Sequence, residues 1–131
     1  MREFAVAEKK FTKEHEWIEK SDQIIIIGIT EFAQDQLGDI VSIELPQVAS
    51  SFKQNDVMAI IDSVKASSDI YCPIDGEIIE INEKLLEHPE LINQSPYNEG
   101  WIVKIKPNNT EQIDSLLSKE QYDELVGQSK E

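Results

Sequence analysis

The feature that most limits how this chain can fold is the grouping of its apolar residues into short segments, each closed by turn-forming residues. Glu16-Trp17-Ile18 enters a polar turn at Lys20-Ser21-Asp22, and the segment from Gln23 to Ile29 leaves it. Between Asp39 and Leu45, Ile40, Ser42 and Glu44 alternate with Val41, Ile43 and Leu45, and Pro46 ends the run. A period of two puts alternate side chains on opposite faces of a strand, whereas a helix needs 3.6. Val57 to Ile61, Asp69 to Cys72, Glu77 to Asn82 and Trp101 to Ile105 read as further strands, with Asp75-Gly76 as a turn signal before Glu77. Many short strands with few helices predict a mainly β fold, a small sandwich or barrel.

The helices are expected at the periphery. Thr30 is a plausible N-cap, Glu31 suits the first turn, and Gly38 is a natural stop. Phe32, Ala33, Gln36 and Leu37 give this helix one stripe for docking on a sheet. Residues 83–100 read as irregular, punctuated by Pro89, Asn93, Pro96 and Gly100. Near the C-terminus, Asn109 or Thr110 can cap a stretch carrying Ile113, Leu116 and Leu117. Ser118 and Gln121 have capping-box spacing, Tyr122, Leu125 and Val126 should face inward, and 127–131 should be a frayed tail. With no long repeat or linker, 1–131 reads as a single domain.

A chain of 131 residues can bury a core without disulfides or metals. Its 26 acidic and 12 basic residues give a net charge of -14, which repels phosphate backbones and anionic membranes and favours partners with basic faces. Nucleic acid and membrane are therefore not expected as partners, and no apolar run approaches the roughly 20 residues of a membrane span. The N-terminal Met-Arg-Glu-Phe-Ala-Val-Ala lacks both a secretory apolar region and transit-peptide character. A cytoplasmic protein is expected, or one of the mitochondrial matrix if a presequence has been removed.

Enzymatic chemistry finds little support. His15 and His88 stand far apart without ligand spacing, and five scattered glycines make no phosphate loop. Cys72 has no partner cysteine and reads as a small residue packed in or beside a strand. His15 reads as a strand residue satisfied by a neighbour, and Trp17 and Trp101 as packing residues. A non-catalytic protein with no metal is the expectation.

Lys65 stands out against this background. It is the only basic residue between Gln54 and Glu83, among Asp56, Asp62, Asp69, Asp75, Glu77, Glu80 and Glu83. Strands on both sides place it at a hairpin tip, with its backbone held by pairing and its stem free in water. That arrangement suits an amine presented to a modifying enzyme.

Five collinear runs carry a family resemblance. They are Phe-Thr-Lys-Glu-His-Glu-Trp-Ile (11–18), Gly-Ile-Thr-Glu-Phe-Ala-Gln-Asp-Gln-Leu-Gly-Asp-Ile-Val (28–41), Asp-Ser-Val-Lys-Ala-Ser-Ser-Asp-Ile-Tyr (62–71), Pro-Ile-Asp-Gly-Glu-Ile-Ile-Glu-Ile-Asn (73–82) and Leu-Ile-Asn-Gln-Ser-Pro-Tyr-Asn-Glu-Gly-Trp (91–101). From about Lys10 to Lys106 the chain resembles the H proteins of the glycine cleavage system, which are lipoyl carriers. The resemblance implies a flattened barrel-sandwich hybrid of the lipoyl/biotinyl-carrier type, with short peripheral helices and a C-terminal helical segment. It places lipoate covalently on Lys65, with Asp62, Ser63, Val64 and Ala66 around it for ligase recognition. Glu16 and Asp69 become candidates for a cleft that shelters the loaded arm.

The implied role is to carry an aminomethyl group from a pyridoxal-phosphate glycine decarboxylase to a tetrahydrofolate-dependent aminomethyltransferase. Electrons then pass to dihydrolipoamide dehydrogenase. A lipoate ligase or octanoyltransferase would be a further partner, and the carrier itself is expected to be a monomer. The alternative is an unmodified interaction module, or a lipoyl-relay protein of the same fold. Biotin carriers flank their lysine with methionines and lipoyl domains of 2-oxoacid dehydrogenases show Asp-Lys-Ala, whereas Val64 and Ala66 flank Lys65. The chain departs from the family pattern at Asp62, usually Glu, and at Ala49 and Asn55, both usually Gly.

Overall fold

The computed structural model of the chain describes residues 9–129; the N-terminal run read for targeting signals lies outside them. Among the described residues, nine strands form two unclosed sheets. The larger has six strands in the order β1 (Lys9–Phe11), β2 (Glu16–Ser21), β3 (Ile24–Ile29), β9 (Val103–Pro107), β8 (Gly76–Ile81) and β5 (Ser51–Phe52). The smaller holds β4 (Ile40–Glu44), β6 (Val57–Ser63) and β7 (Ser67–Tyr71). All of the pairings are antiparallel.

Register explains why the isoleucine-rich strands form this sheet. Lys20 pairs with Ile25, Ile25 with Ile105 and Ile105 with Ile78, while Ile18 pairs with Ile27 and Ile27 with Val103. Apart from Lys20, which is exposed, these residues line the inner face of the large sheet, and Ile40, Ile43, Met58, Ala59, Ile61 and Ile70 close over them from the small sheet. The alternate rung, Glu19–Ile26–Lys104–Glu80, faces outward. There Ile26 joins a second cluster of Phe11, Trp17, Tyr97, Trp101 and Tyr122.

Helix α1 (Glu31–Leu37) begins and ends where its capping residues predict. Thr30 Oγ1 accepts from the Ala33 N–H at 3.2 Å, and the Gly38 N–H donates to Gln34 O at 3.0 Å. The region 83–100 contains two one-turn helices, α2 (Lys84–Glu87) and α3 (Leu91–Gln94), each burying one side chain, Leu85 and Ile92. After α4 (Glu111–Asp114) comes α5 (Lys119–Ser129), whose start carries the expected reciprocal bonds between Ser118 and Gln121. Asn109 rather than Thr110 supplies the side-chain bond ahead of α4, accepting from the Glu111 N–H. Helix α5 continues through Gly127 to Ser129, into the stretch read as a frayed tail.

Three local readings need correction. β4 does not alternate cleanly, because a register shift between Ile40 and Ser42 leaves Val41 in solvent while Ile40 and Ile43 are both buried. An extra residue in one strand of a pair turns the side chains after it to the opposite face. Asp75-Gly76 is no hairpin turn but the crossing from the small sheet to the large one, where Gly76 pairs with Phe52 and Pro107. A Cβ on Gly76 would collide with Ile105 Cγ2 and stand 2.7 Å from the Lys106 carbonyl oxygen, so close strand approach demands the glycine. His15 lies before β2 rather than in it, with φ at 73°.

Ala49 and Asn55, where the resemblance leads to an expectation of glycine, have φ of 78° and 76°. For alanine this left-handed region costs roughly 1 kcal/mol, while asparagine tolerates it better. Glycine relieves that strain but loses about 0.5 kcal/mol through greater freedom of the unfolded chain. Ala49→Gly should therefore stabilise the protein by about 0.5 kcal/mol in urea unfolding, and Asn55→Gly by less. A lower urea midpoint for Ala49→Gly would contradict this account.

Candidate functional site

Strands β6 and β7 pair Ile60 with Asp69, Ile61 with Ser68 and Asp62 with Ser67, leaving Val64, Lys65 and Ala66 as an exposed tip. The tip is closed by Ser63. Its N–H donates to Ala66 O at 2.8 Å, and its hydroxyl donates to the same carbonyl at 3.0 Å. That hydroxyl also accepts from the backbone N–H groups of Lys65 and Ala66, each at 3.1 Å. A serine here gives a short loop the partners its backbone would otherwise seek in water.

Asp62 braces the hairpin one residue further down. Its carboxylate accepts from Ser42 Oγ at 3.1 Å and from Ser67 Oγ, joining β4, β6 and β7. The aspartate side chain reaches hydroxyls on both neighbouring strands.

The tip also leans on the corner between α1 and β4. The Val64 N–H donates to Asp39 O at 3.0 Å, and Lys65 Nζ donates to Gln36 O at 3.3 Å. Gly38, with φ at 80°, lies under the lysine stem, and a Cβ there would sit 3.1 Å from Lys65 Cε. No carboxylate pairs with Lys65 among the described residues. Reading Gly38 only as a helix stop missed its second role, which nothing local in the sequence reveals.

The two carboxylates expected beside the arm meet different fates. Asp69 is exposed in the middle of β7. Glu16 is only 2% exposed, with both oxygens engaged: one accepts from Thr12 Oγ1 at 2.7 Å, the other from the Tyr71 N–H at 2.9 Å. It bridges the start of β2 to the end of β7 instead of offering a free oxygen. Burial pushes its carboxyl up to about 7, against the lowering effect of the two hydrogen bonds.

Cys72 is fully buried, as expected of a packed thiol, and donates to Ile74 O at 3.0 Å. Burial raises its pKa to about 12, so it carries no thiolate chemistry at neutral pH. His15 Nδ1 and Thr30 Oγ1 each lie 2.7 Å from Tyr122 Oη, and the Phe32 ring lies 4.7 Å from the imidazole. This network joins the approach to β2, the cap of α1 and α5. Trp17 is buried and donates from Nε1 to Pro96 O at 2.9 Å, a packing role. Among the described residues no group of three or more His, Cys, Asp or Glu could hold a metal, and no helix is long and apolar enough to cross a membrane.

Comparison with known proteins agrees with this geometry. The family model described as glycine cleavage H-protein matches residues 9–129. A glycine cleavage system H protein of Symbiobacterium thermophilum is 52% identical over 117 residues, covering 89% of this chain and 91% of that protein. One of Carboxydothermus hydrogenoformans is 47% identical over 117 residues, covering 89% and 90%. The crystal structure of a glycine cleavage system H protein from Mycobacterium marinum superposes with a TM-score of 0.83 at 28% identity, covering 97% of this chain and 100% of that one.

Proposed function

Because the chain belongs to the glycine cleavage H-protein family, we propose that it is a lipoyl carrier of the glycine cleavage system, with lipoate in amide linkage to Lys65. The observation that carries the assignment is the hairpin tip. Lys65 presents an amine in solvent on a backbone held by Ser63, with no carboxylate among the described residues to neutralise it. An acyl chain attached there meets no wall, so the residues present fit the group. Once bound, lipoate supplies a cyclic disulfide able to accept an aminomethyl group and two electrons.

The protein's own residues then have distinct tasks. Ser63 and Asp62 keep the tip rigid, so that motion is confined to the Lys65 side chain and whatever it bears. Asp69, exposed on β7, would meet a cationic cargo, and Glu16 acts on the same strand by holding the Tyr71 N–H. The net charge of -14 favours docking to basic surfaces of glycine decarboxylase, aminomethyltransferase and dihydrolipoamide dehydrogenase. A lipoate ligase or octanoyltransferase would install the group.

Intact-mass measurement of the protein from its native source tests this reading. A single lipoyl addition is expected, located to Lys65 by fragmentation. An unmodified Lys65 in cells actively degrading glycine would instead support a module of the same fold that works without the cofactor.

A further inference from the structure

We propose that Asn93, on the α3 turn, is a positioning residue for the acylation of Lys65. The proposal rests on the assignment of Lys65 as the acylated residue. The three tip residues are exposed, and the external supports of the tip converge on one corner. Asp39 O receives the Val64 N–H, Gly38 underlies the lysine stem, and Gln36 O receives Nζ.

That corner is a loop between α1 and β4, and Asn93 fixes it from both sides. Its Oδ1 accepts from the Ile40 N–H at 2.9 Å. Its Nδ2 donates to Gly38 O at 2.9 Å and to Gln34 Oε1 at 2.8 Å. The opposite amide orientation would set NH2 against the Ile40 N–H and oxygen against Gly38 O, so the network itself selects this one. Asp39 is thus bracketed by residues 38 and 40, and the direction of its carbonyl, on which the tip hangs, follows from one side chain. In sequence Asn93 lies in the run 91–101, to which the carrier reading gives no task.

In acylation the neutral Lys65 amine attacks the carbonyl carbon of a lipoyl adenylate. The C–N bond forms, the C–O bond to AMP breaks, and one amine proton leaves to water. Asn93 touches none of these atoms. It raises the fraction of molecules that present the amine in one orientation. When only a fraction is competent, apparent affinity falls by that fraction while the step after binding is unchanged. Loss of Asn93 should therefore raise KM for the carrier at constant kcat.

The test uses the full chain with lipoic acid, ATP and a bacterial lipoate ligase, followed by intact mass, comparing wild type, Asn93→Ala and Asn93→Asp. Asn93→Ala should raise KM about tenfold with kcat unchanged. Native-state hydrogen exchange at the Val64 amide should accelerate, while the amides pairing β3 with β9 keep their protection. Asn93→Asp keeps the acceptor for Ile40 but not the donor for Gly38, and should fall between. Wild-type KM in both variants overturns the proposal. So does a fall in kcat accompanied by uniform loss of protection, or loss of the fold in both, since each marks a merely structural asparagine. If the wild type itself is not acylated at Lys65, the assignment beneath the proposal fails, and the positioning role fails with it.

Discussion

Lys65→Arg is expected to abolish lipoylation, and with it all carrier activity in a reconstituted glycine cleavage system, while the protein stays folded. The side chain is exposed, and its hydrogen bond to Gln36 O is open to a guanidinium as well as to an ammonium. Substitutions at such positions usually change stability by no more than about 0.5 kcal/mol. Arginine keeps the positive charge but stays protonated, so it offers no nucleophilic amine. Thermal unfolding should therefore match the wild type while intact mass shows no added lipoyl group after co-expression with a lipoate ligase. A lipoyl group on the arginine variant would mean that another lysine is the target, and the carrier assignment would lose its foundation.

Glu16→Gln should give the largest change in pH-dependent stability. The carboxyl titrates at about 7 in the folded protein and near 4.5 when free of the fold. Between those values the folded state holds a proton that the unfolded state has lost, so stability falls as pH rises through this window. Below it both states are protonated, and above it both are charged with the folding penalty fully present. This is opposite to the usual salt-bridged carboxylate, because burial here outweighs the two hydrogen bonds. Glutamine imitates the protonated acid, so from pH 5 to pH 8 the stability of Glu16→Gln should rise relative to wild type by about 2 kcal/mol. Urea midpoints at the two pH values measure this, and parallel profiles for the two proteins would show that Glu16 is ionised in the fold without penalty.

At two helix ends, where the hydrogen bonds span only a few residues, the sequence was enough. Thr30 and Gly38 bound α1, and Ser118 and Gln121 form their box. Short apolar runs closed by turn-forming residues marked most of the strands, because the strands are short and polar residues follow where they leave the core. The solvated lysine among acidic neighbours was also legible, since exposure and charge follow from local composition.

Tertiary structure alone decided features that depend on partners far along the chain. Val41 alternates as well as its neighbours do, and only the pairing of β4 with β6 shows the register shift that sends it into water. Asp75-Gly76 has the composition of a hairpin turn, but Ile105 and Lys106 crowd Gly76 from the other sheet and make it a crossing. Glu16 resembles any surface carboxylate until the N–H of Tyr71, 55 residues away, donates to it. His15 looks like a strand residue until Tyr122, 107 residues on, receives its ring. Asn93 read as punctuation because its three partners lie on α1, on β4 and in the loop between them, more than 50 residues earlier. Local chemistry sets which conformation a short segment prefers, but burial and orientation are properties of what lies opposite, and that is known only once the two sheets have closed on each other.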